Sequence, residues 1–455
     1  MPTALLWFRR DLRLRDHPAL LAASDSAGPD GDVLPVFVFD DRLWGPSGDP
    51  RRRFLLDCLG ALDADLGGAL VLRSGDPARA LPALAAEVGA TSAHVSADAG
   101  PYGRRRDEAV ERALGDVPLV RTGSPYAVTP GRVTKRDGSP FRVYSPFARA
   151  WREHGWRAPA HSPGDVRWRT GVPSDAPPSA PDLGGVVLPP AGEAAALEAW
   201  ERFRDERLLG YADGRNVPAG QGTSRMSAYL KYGCIHPRTL LADLGAAEQT
   251  ESVRRYTDEL AWRDFYADVL WHRPESAREY LRPELQAMGY DSGPHADELL
   301  EAWKAGRTGF PIVDAGMRQL LGEAYVHNRV RMIVASFLVK DLHQEWTVGA
   351  RHFMQHLVDG DLASNNHGWQ WVAGTGTDAA PYYRVFNPVT QGKKFDPDGS
   401  YVKRWVPELR ELGREHVHEP WTAPGGLPAG YPKPIVDHAH ERQVALDRYA
   451  RVRGA

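Results

Sequence analysis

At 455 residues, with 42% hydrophobic and 25% charged side chains, the chain has ordinary globular composition and room for roughly two to four domains with buried cores. Its net charge of −3 excludes a uniformly basic nucleic-acid binder, so any such contact must come from a local patch. Cys58 and Cys234, the only cysteines, exclude a disulfide framework, and the N-terminus MPTALLWFRRDLRL reads as neither signal peptide nor membrane span, so the expected address is a reducing cytoplasm.

Up to about residue 125, short apolar runs alternate with amphipathic stretches. Strands are predicted at Ala4–Phe8, Val33–Phe39, Ala69–Leu72, His94–Ser96 and Leu119–Val120, with helices at Phe54–Leu66 and Pro77–Val88. That rhythm predicts a Rossmann-like α/β domain with a parallel sheet. No GxGxxG follows the first strand, so an ordinary dinucleotide fingerprint is missing. From Arg157 to Gly192 the chain is rich in Pro, Gly, Ser and Asp and reads as a connection without regular structure. Beyond it nearly everything is helical, including Glu193–Leu209, Ser252–Leu270, Pro311–Leu321 and Asn328–Leu342. The predicted organisation is an α/β domain at 1–130, a linker at 131–195 and a larger all-α domain at 196–455, with no internal repeat.

Four motifs carry chemistry. In GTSRMS, Gly222–Ser227, Thr223 and Ser224 sit where an N-cap would be, and free amides at a helix start bind anions; a plain cap is the simpler reading. In ELAWRDFY, Glu259, Trp262 and Arg263 fall at i, i+3 and i+4, so a carboxylic acid, an aromatic plate and a cation share one helix face. The bland alternative is a packed tryptophan with an ion pair at its rim. In HNRVRM, Asn328, Arg331 and Met332 repeat that spacing, and surface arginines around a core methionine would look the same. The richest stretch is DGDLASNNHGWQWVAGTGTDAAPYYRVFNP, Asp359–Pro388, which sets carboxylates, an Asn pair and two tryptophans side by side. Such polar density is poor core material, because each buried amide and carboxylate needs a partner. It suits a pocket for a large heterocycle.

These motifs closely resemble those of the photolyase and cryptochrome family, and the likeness covers essentially the whole chain. The resemblance implies an all-α FAD-binding domain and light-driven repair of cyclobutane pyrimidine dimers in UV-damaged DNA, as in class I photolyases. By resemblance, Tyr211, Thr223, Ser224, Met226 and Ser227 hold the FAD pyrophosphate. Glu259 hydrogen-bonds the dimer, Trp262 stacks on it, Arg263 faces the cofactor, Asn328 and Arg331 lie on the flavin side and Met332 lines the substrate pocket. Stacking makes physical sense, since a base extruded from the duplex needs a π-surface to replace its lost neighbours. Asp359 is expected to pair with Arg331, sparing that cation from being buried alone. Asp361 is the expected partner of polar edges of the flavin or its ribose, and Asn365 of flavin N5, where an amide can accept or donate. His367 departs from the glycine more usual in relatives, and a bland supporting role is expected for it. Trp303, Trp346 and Trp369 match electron-relay positions, although tryptophans in helices are ordinarily core. Arg215, Arg329, Trp371, Arg384 and Lys394, together with Trp262, match or adjoin DNA-facing positions; by themselves the cations would read as a solvated face.

For a light-harvesting antenna, DAGPYGRRRD, Asp98–Asp107, lacks the Asn-Glu pair of folate-binding relatives. It looks like relatives that bind 8-hydroxy-5-deazaflavin, where a lysine matching Lys231 faces the ligand. Arg10, Phe37, Asp40 and Asp98 are expected along the same cleft. The alternatives are a second flavin, folate or an empty cleft. No metal is expected: His352 and His356 in HFMQH have i, i+4 spacing but lack the glutamate of an HExxH site and a third ligand, and read as surface histidines. A monomer is expected. The rivals are a cryptochrome photoreceptor and a light-independent flavin oxidoreductase. Against the first, the chain ends 34 residues after Trp421, and Asn328 and Met332 replace the histidines of (6-4) enzymes and many animal cryptochromes. Against the second, no nicotinamide fingerprint is present.

Overall fold

A computed structural model describes residues 1–377 and 383–454, so positions 378–382 of the Asp359–Pro388 motif lie outside the described residues. The chain forms two compact units. The first comprises residues 1–182, 189–209 and 224–274, and the second 183–188, 210–223 and 275–455.

The first unit is built on five parallel strands, β1 (Thr3–Phe8), β2 (Asp32–Phe39), β3 (Val71–Ser74), β4 (Ala90–Val95) and β5 (Leu119–Arg121), in the order β3-β2-β1-β4-β5. β1 is buried along its full length, as a central parallel strand covered on both faces must be, which is why TALLWF reads as an unbroken apolar run. Strand order reverses between β1 and β4, and in open parallel sheets the crevice beyond the strand ends at such a switch point is the usual ligand site. The predicted helix Pro77–Val88 has those bounds; the predicted Ala69–Leu72 strand is shifted to Val71–Ser74, behind a turn through Gly67 and Gly68.

Two features differ from the predicted linker at 131–195. Tyr144–His154 is a helix, with Phe147, Ala148 and Trp151 buried. Its Trp151 indole donates to Asp264 Oδ2 at 2.9 Å, fixing it to the helix Glu251–His272. The Pro- and Gly-rich part does lack helix and strand, but it is anchored: Trp168 bridges to Val33, and Ser174 and Asp175 accept from the backbone N–H groups of Leu72 and Ser74. Unsatisfied amides at the outer edge of β3 thus find partners in the connector. The predicted boundary near residue 196 is not a boundary of the compact units either, because 196–209 and 224–274 cluster with the sheet.

The second unit is helical. Its core packs Trp303, Trp346, Phe337, Leu338, Phe353 and Tyr401 around the helices Pro311–Glu323, Asn328–Lys340, Trp346–His356 and Leu362–Ala373. Among the described residues no helix is long and apolar enough to cross a membrane.

Candidate active site

In the first unit the helix Glu251–His272 is started by Thr250, whose hydroxyl accepts from Val253 N at 3.3 Å. Its buried side carries Leu260, Ala261, Asp264 and Phe265, which leaves Glu259, Trp262, Arg263 and Tyr266 half-buried along the other side. The predicted juxtaposition of Glu259, Trp262 and Arg263 on one helix is therefore present. Tyr144 covers one face of Trp262, with ring centroids 3.7 Å apart and planes 5° from parallel. Below the strip, burial pushes the Asp264 carboxyl up to about 6, although Val128 N and Trp151 Nε1 each donate to it at 2.9 Å.

The Arg263 guanidinium donates to the carbonyls of Pro125 at 2.7 Å and Leu230 at 3.0 Å and lies over the Tyr126 ring, so it braces the scaffold. The N-cap expectation fails. The short helix begins at Ser227, and its N-cap is Met226, which makes no side-chain cap bond. Ser224 shares a 2.7 Å hydrogen bond with Tyr256 and accepts from Met226 N, shaping the turn ahead of the helix. Thr223 and Tyr211 belong to the second unit, where Tyr211 is buried under the Arg215 guanidinium.

Further into the first unit, Gly233 has φ +70 and sits against the Arg10 backbone so closely that a Cβ would overlap the Arg10 carbonyl. That approach lets Leu12 N reach Tyr232 O at 3.1 Å and Arg10 Nε reach Lys231 O at 3.3 Å, bringing Lys231 to the loop that follows β1. Arg10 and Asp98 leave the ends of β1 and β4, the switch point identified above. Asp98 pairs with Arg106 at 3.2 Å and accepts from Gly100 N, while Asp40 takes the Tyr102 hydroxyl and Arg42 N, so both carboxylates already serve the scaffold. Phe37 is buried against Phe39. The two cysteines, far apart in sequence, bring their sulfurs to 3.5 Å in the buried interior of this unit.

In the second unit Arg331 donates to Asp359 Oδ2 at 2.9 Å, as predicted. Burial would lower the guanidinium, but Asp359 and Tyr325 beside it hold it above its ordinary value. The other carboxylate oxygen, Asp359 Oδ1, is buried without a hydrogen-bond partner among the described residues. An orphaned buried acceptor beside a half-buried cation fits a polar heterocycle that brings its own donor. Asn365 sharpens the fit. Its amide nitrogen donates to Ala350 O at 3.1 Å and Asn366 Oδ1 at 2.8 Å, so both N–H bonds are committed and its carbonyl oxygen can act only as an acceptor. Asp361 caps the helix Leu362–Ala373 by accepting from Ser364 N at 3.1 Å. His367 is fully buried between Ala363 O at 2.8 Å and Ser276 Oγ at 2.9 Å, and burial lowers its pKa to about 4. It is a neutral tie between segments, the bland supporting role expected.

The three tryptophans predicted to relay electrons are all interior, Trp303 and Trp346 at 0% exposure and Trp369 at 3%. Trp303 and Trp369 are direct neighbours, with centroids 6.2 Å apart, and Phe353 packs edge-on to Trp369. Trp369 also lies against Gly349, one helical turn beyond Trp346, where a Cβ would not fit. A cluster is present, but none of the three forms a surface end. His352 and His356 are likewise half-buried, not on the surface as expected, and burial brings His352 down to about 3. No group of three or more metal-type side chains gathers among the described residues.

Trp262 apart, which belongs to the first unit, the predicted DNA-facing residues fall into two clusters in this unit. Arg329 donates to Asn216 Oδ1 at 2.8 Å and lies over Phe395 with Lys394, while its neighbour Arg215 helps lower its pKa after burial. Met332 contributes its sulfur to the same guanidinium at 3.8 Å, and Asn328 opens the helix in an exposed position. In the other cluster Arg384 stands over the half-buried Trp371 ring at 5.7 Å. The buried Lys340 ammonium, which sequence reasoning missed, holds the Arg384 carbonyl and lies over Tyr383.

A parallel sheet with a strand-order switch point and a helical unit whose polar groups fit a bound heterocycle suit a protein with a large polar cofactor, and comparison with known proteins names the class. The family described as DNA photolyase matches residues 4–164, and the FAD-binding domain of DNA photolyase matches residues 256–451. A deoxyribodipyrimidine photo-lyase of Streptomyces griseus is 41% identical over 100% of both chains. Among solved structures, a bacterial class III photolyase from Agrobacterium tumefaciens superposes with a TM-score of 0.92 at 38% identity, covering 100% of this chain and 98% of that one. An archaeal photolyase from Sulfolobus tokodaii with two FAD molecules superposes with a TM-score of 0.83 at 28% identity, covering 99% and 100%. The chain belongs to the photolyase and cryptochrome family. Within it, the full-length likeness makes it an enzyme of the photo-lyase type with an FAD-binding domain.

Proposed function

We propose that the chain repairs cyclobutane pyrimidine dimers in DNA under blue light. The observation that carries this is the half-buried strip of Glu259 and Trp262 on one helix: a carboxyl group and a flat aromatic face, partly open to a ligand. Trp262 offers the π-surface an extruded lesion needs, and a damaged, weakly paired site costs less to extrude. Glu259 supplies a polar contact where negative charge develops on the dimer. Asn328 and Met332, standing where histidines mark (6-4) enzymes, favour the cyclobutane lesion.

FAD, when bound, supplies the photoexcited electron that opens the cyclobutane ring and takes it back, so there is no net redox change. The residues of this chain prepare for it. Arg331, paired with Asp359, provides positive charge for a reduced, anionic flavin. Asn365, with only its carbonyl available, accepts from a protonated N5, the state that a reduced flavin presents. Asp361 takes polar edges of the flavin or ribose, and Tyr211, Thr223, Ser224, Met226 and Ser227 hold the pyrophosphate. Arg215, Arg329, Arg384 and Lys394, with Trp371, face the DNA backbone. Trp303, Trp346 and Trp369 pass electrons inward when the flavin arrives oxidised.

In the crevice at the ends of β1 and β4 the antenna is 8-hydroxy-5-deazaflavin, with the Lys231 ammonium facing its ionised hydroxyl and Arg10, Phe37, Asp40 and Asp98 around it. A second flavin, as in the Sulfolobus structure, or folate are the competing occupants. Class I is the subclass the motifs resemble, and the Agrobacterium structure makes class III its competitor. Two experiments test the proposal. Irradiated DNA incubated with the reduced holoenzyme should lose dimers in blue light and not in the dark; equal loss in both overturns the light-driven step, and no loss overturns repair and leaves the cryptochrome reading. Protein freed of antenna should gain deazaflavin absorption and energy transfer to FAD on reconstitution. Uptake of folate instead, or deazaflavin binding undiminished in Lys231→Ala, overturns the antenna assignment.

A further inference from the structure

Nothing in the motifs marks Tyr144, which opens a helix inside the connector. Its ring covers one face of Trp262 at 3.7 Å and 5°, a nearly parallel stack. The hydroxyl donates to Asp258 O at 2.9 Å and Oδ1 at 3.1 Å, one turn before Trp262 on the same helix, and Arg152 of Tyr144's own helix pairs with that Asp258 carboxylate. Phe265 stands steeply against both rings, at 6.0 Å from Tyr144 and 5.8 Å from Trp262, and Tyr266, one turn along the helix, lies 5.4 Å from Trp262 at 43°, tilted and not stacked. Trp262 nevertheless stays half-exposed, so its accessible surface lies away from the face that Tyr144 covers.

We infer that Tyr144 is a positioning residue of the lesion pocket: it fixes the plane of Trp262 and leaves one indole face for damaged bases, so it sets the preference for dimer-containing over undamaged DNA. This rests on the lesion-binding reading of Trp262 above. A half-exposed indole with two free faces would turn about its side-chain bonds and stack with either face on any base. With one face covered and the covering ring bonded to the same helix, the rotor is locked before the ligand arrives, and less ordering is left for binding to oppose.

The test is a double-mutant cycle on FAD-loaded protein in the dark, measuring affinity for a dimer-containing strand and for the same strand undamaged. Tyr144→Leu should lower the preference for the dimer by about threefold to tenfold, the range for losing one aromatic pair. Tyr144→Phe, which keeps the stack, should stay within about twofold of the parent. In a Trp262→Ala background Tyr144→Leu should cause no further loss, because the plate it positions is gone. The salt dependence of binding to undamaged DNA should not move. An unchanged preference in Tyr144→Leu, or the same loss with and without Trp262, overturns the inference. If the leucine variant loses FAD, Tyr144→Met, bulky but without a flat face, takes its place in the cycle and is read the same way. A parent without dimer preference would instead sink the lesion-binding reading itself.

Discussion

Trp262 and Trp369 are both motif tryptophans on helices, yet their surroundings differ in kind. Trp262 is half-exposed, stacked on one face by a tyrosine and flanked by Glu259. Trp369 is buried to 3%, set against Gly349, Phe353 and Trp303. An indole with an open face can bind; one closed on all sides can only pack or exchange electrons with its neighbours. Under the proposed function, ligand contact belongs to the first environment and internal electron traffic to the second, and the difference in burial is what supports that division.

The sharpest way to break that division is at the buried cluster. Trp369→Phe keeps an apolar ring in place but removes the oxidisable indole, so light-driven reduction of oxidised FAD should be abolished while FAD content stays at the parent level. Equal photoreduction in variant and parent would reduce Trp303, Trp346 and Trp369 to packing residues. At the open strip, Glu259→Ala should lower repair per absorbed photon by roughly tenfold or more, the scale of one lost electrostatic contact to a developing charge. Loss of FAD with unchanged repair per bound flavin would move Glu259 out of the lesion pocket.

How far these environments could be read from sequence depends on the range of the interactions. The helix that carries Glu259 and Trp262 was legible because its spacing is local, and β1 and β2 were legible because both their faces are buried. The Arg331–Asp359 pair was legible from charge logic, since a cation near a cofactor needs a counter-ion. Tyr144 was not, because its stack joins segments far apart in the chain, although Phe147, Ala148 and Trp151 gave a readable helical signal around it. The bracing by Arg263 is hidden for a related reason: its two carbonyl partners, Pro125 and Leu230, come from separate segments. The N-cap was misplaced because Thr223 and Ser224 suit a cap chemically, but the left-handed Arg225, at φ 54, delays the helix to Ser227. The burial of Trp303 and Trp346, which leaves the relay without a surface end among these three, is a property of the packed unit alone.

A smaller effect separates the two clusters proposed to face DNA. Arg329, half-buried beside Arg215 over Phe395, and Arg384, standing over Trp371, should each contact one phosphate. Neutralising either to alanine should reduce the slope of log affinity against log salt by about one. A change in only one variant would assign the DNA path to that cluster, and no change in both would move the DNA elsewhere.

The smallest expected effect lies in stability. His367 takes up a proton near 6.5 when unfolded but only near 4 when folded, because burial opposes the charge. Between those values the unfolded chain binds more protons, so this side chain makes stability fall as pH falls, by up to about 1.4 kcal/mol per pH unit. Asp264 and Asp341, both pushed up to about 6 by burial, act in the opposite sense around that pH. Chemical denaturation of parent and His367→Asn across the window isolates the term: the variant should show the flatter profile. Parallel profiles would mean that His367 is charged in the folded protein.

The division between open and closed tryptophans is tested most directly by one crossed measurement. Parent, Trp369→Phe and Glu259→Ala are reduced chemically, mixed with dimer-containing DNA and illuminated, and dimers are counted against absorbed photons. Trp369→Phe should repair at the parent rate, since chemical reduction bypasses the buried cluster, while Glu259→Ala should fall well below it. Parental repair in Glu259→Ala together with lost repair in Trp369→Phe would contradict the assignment of lesion chemistry to the half-exposed strip.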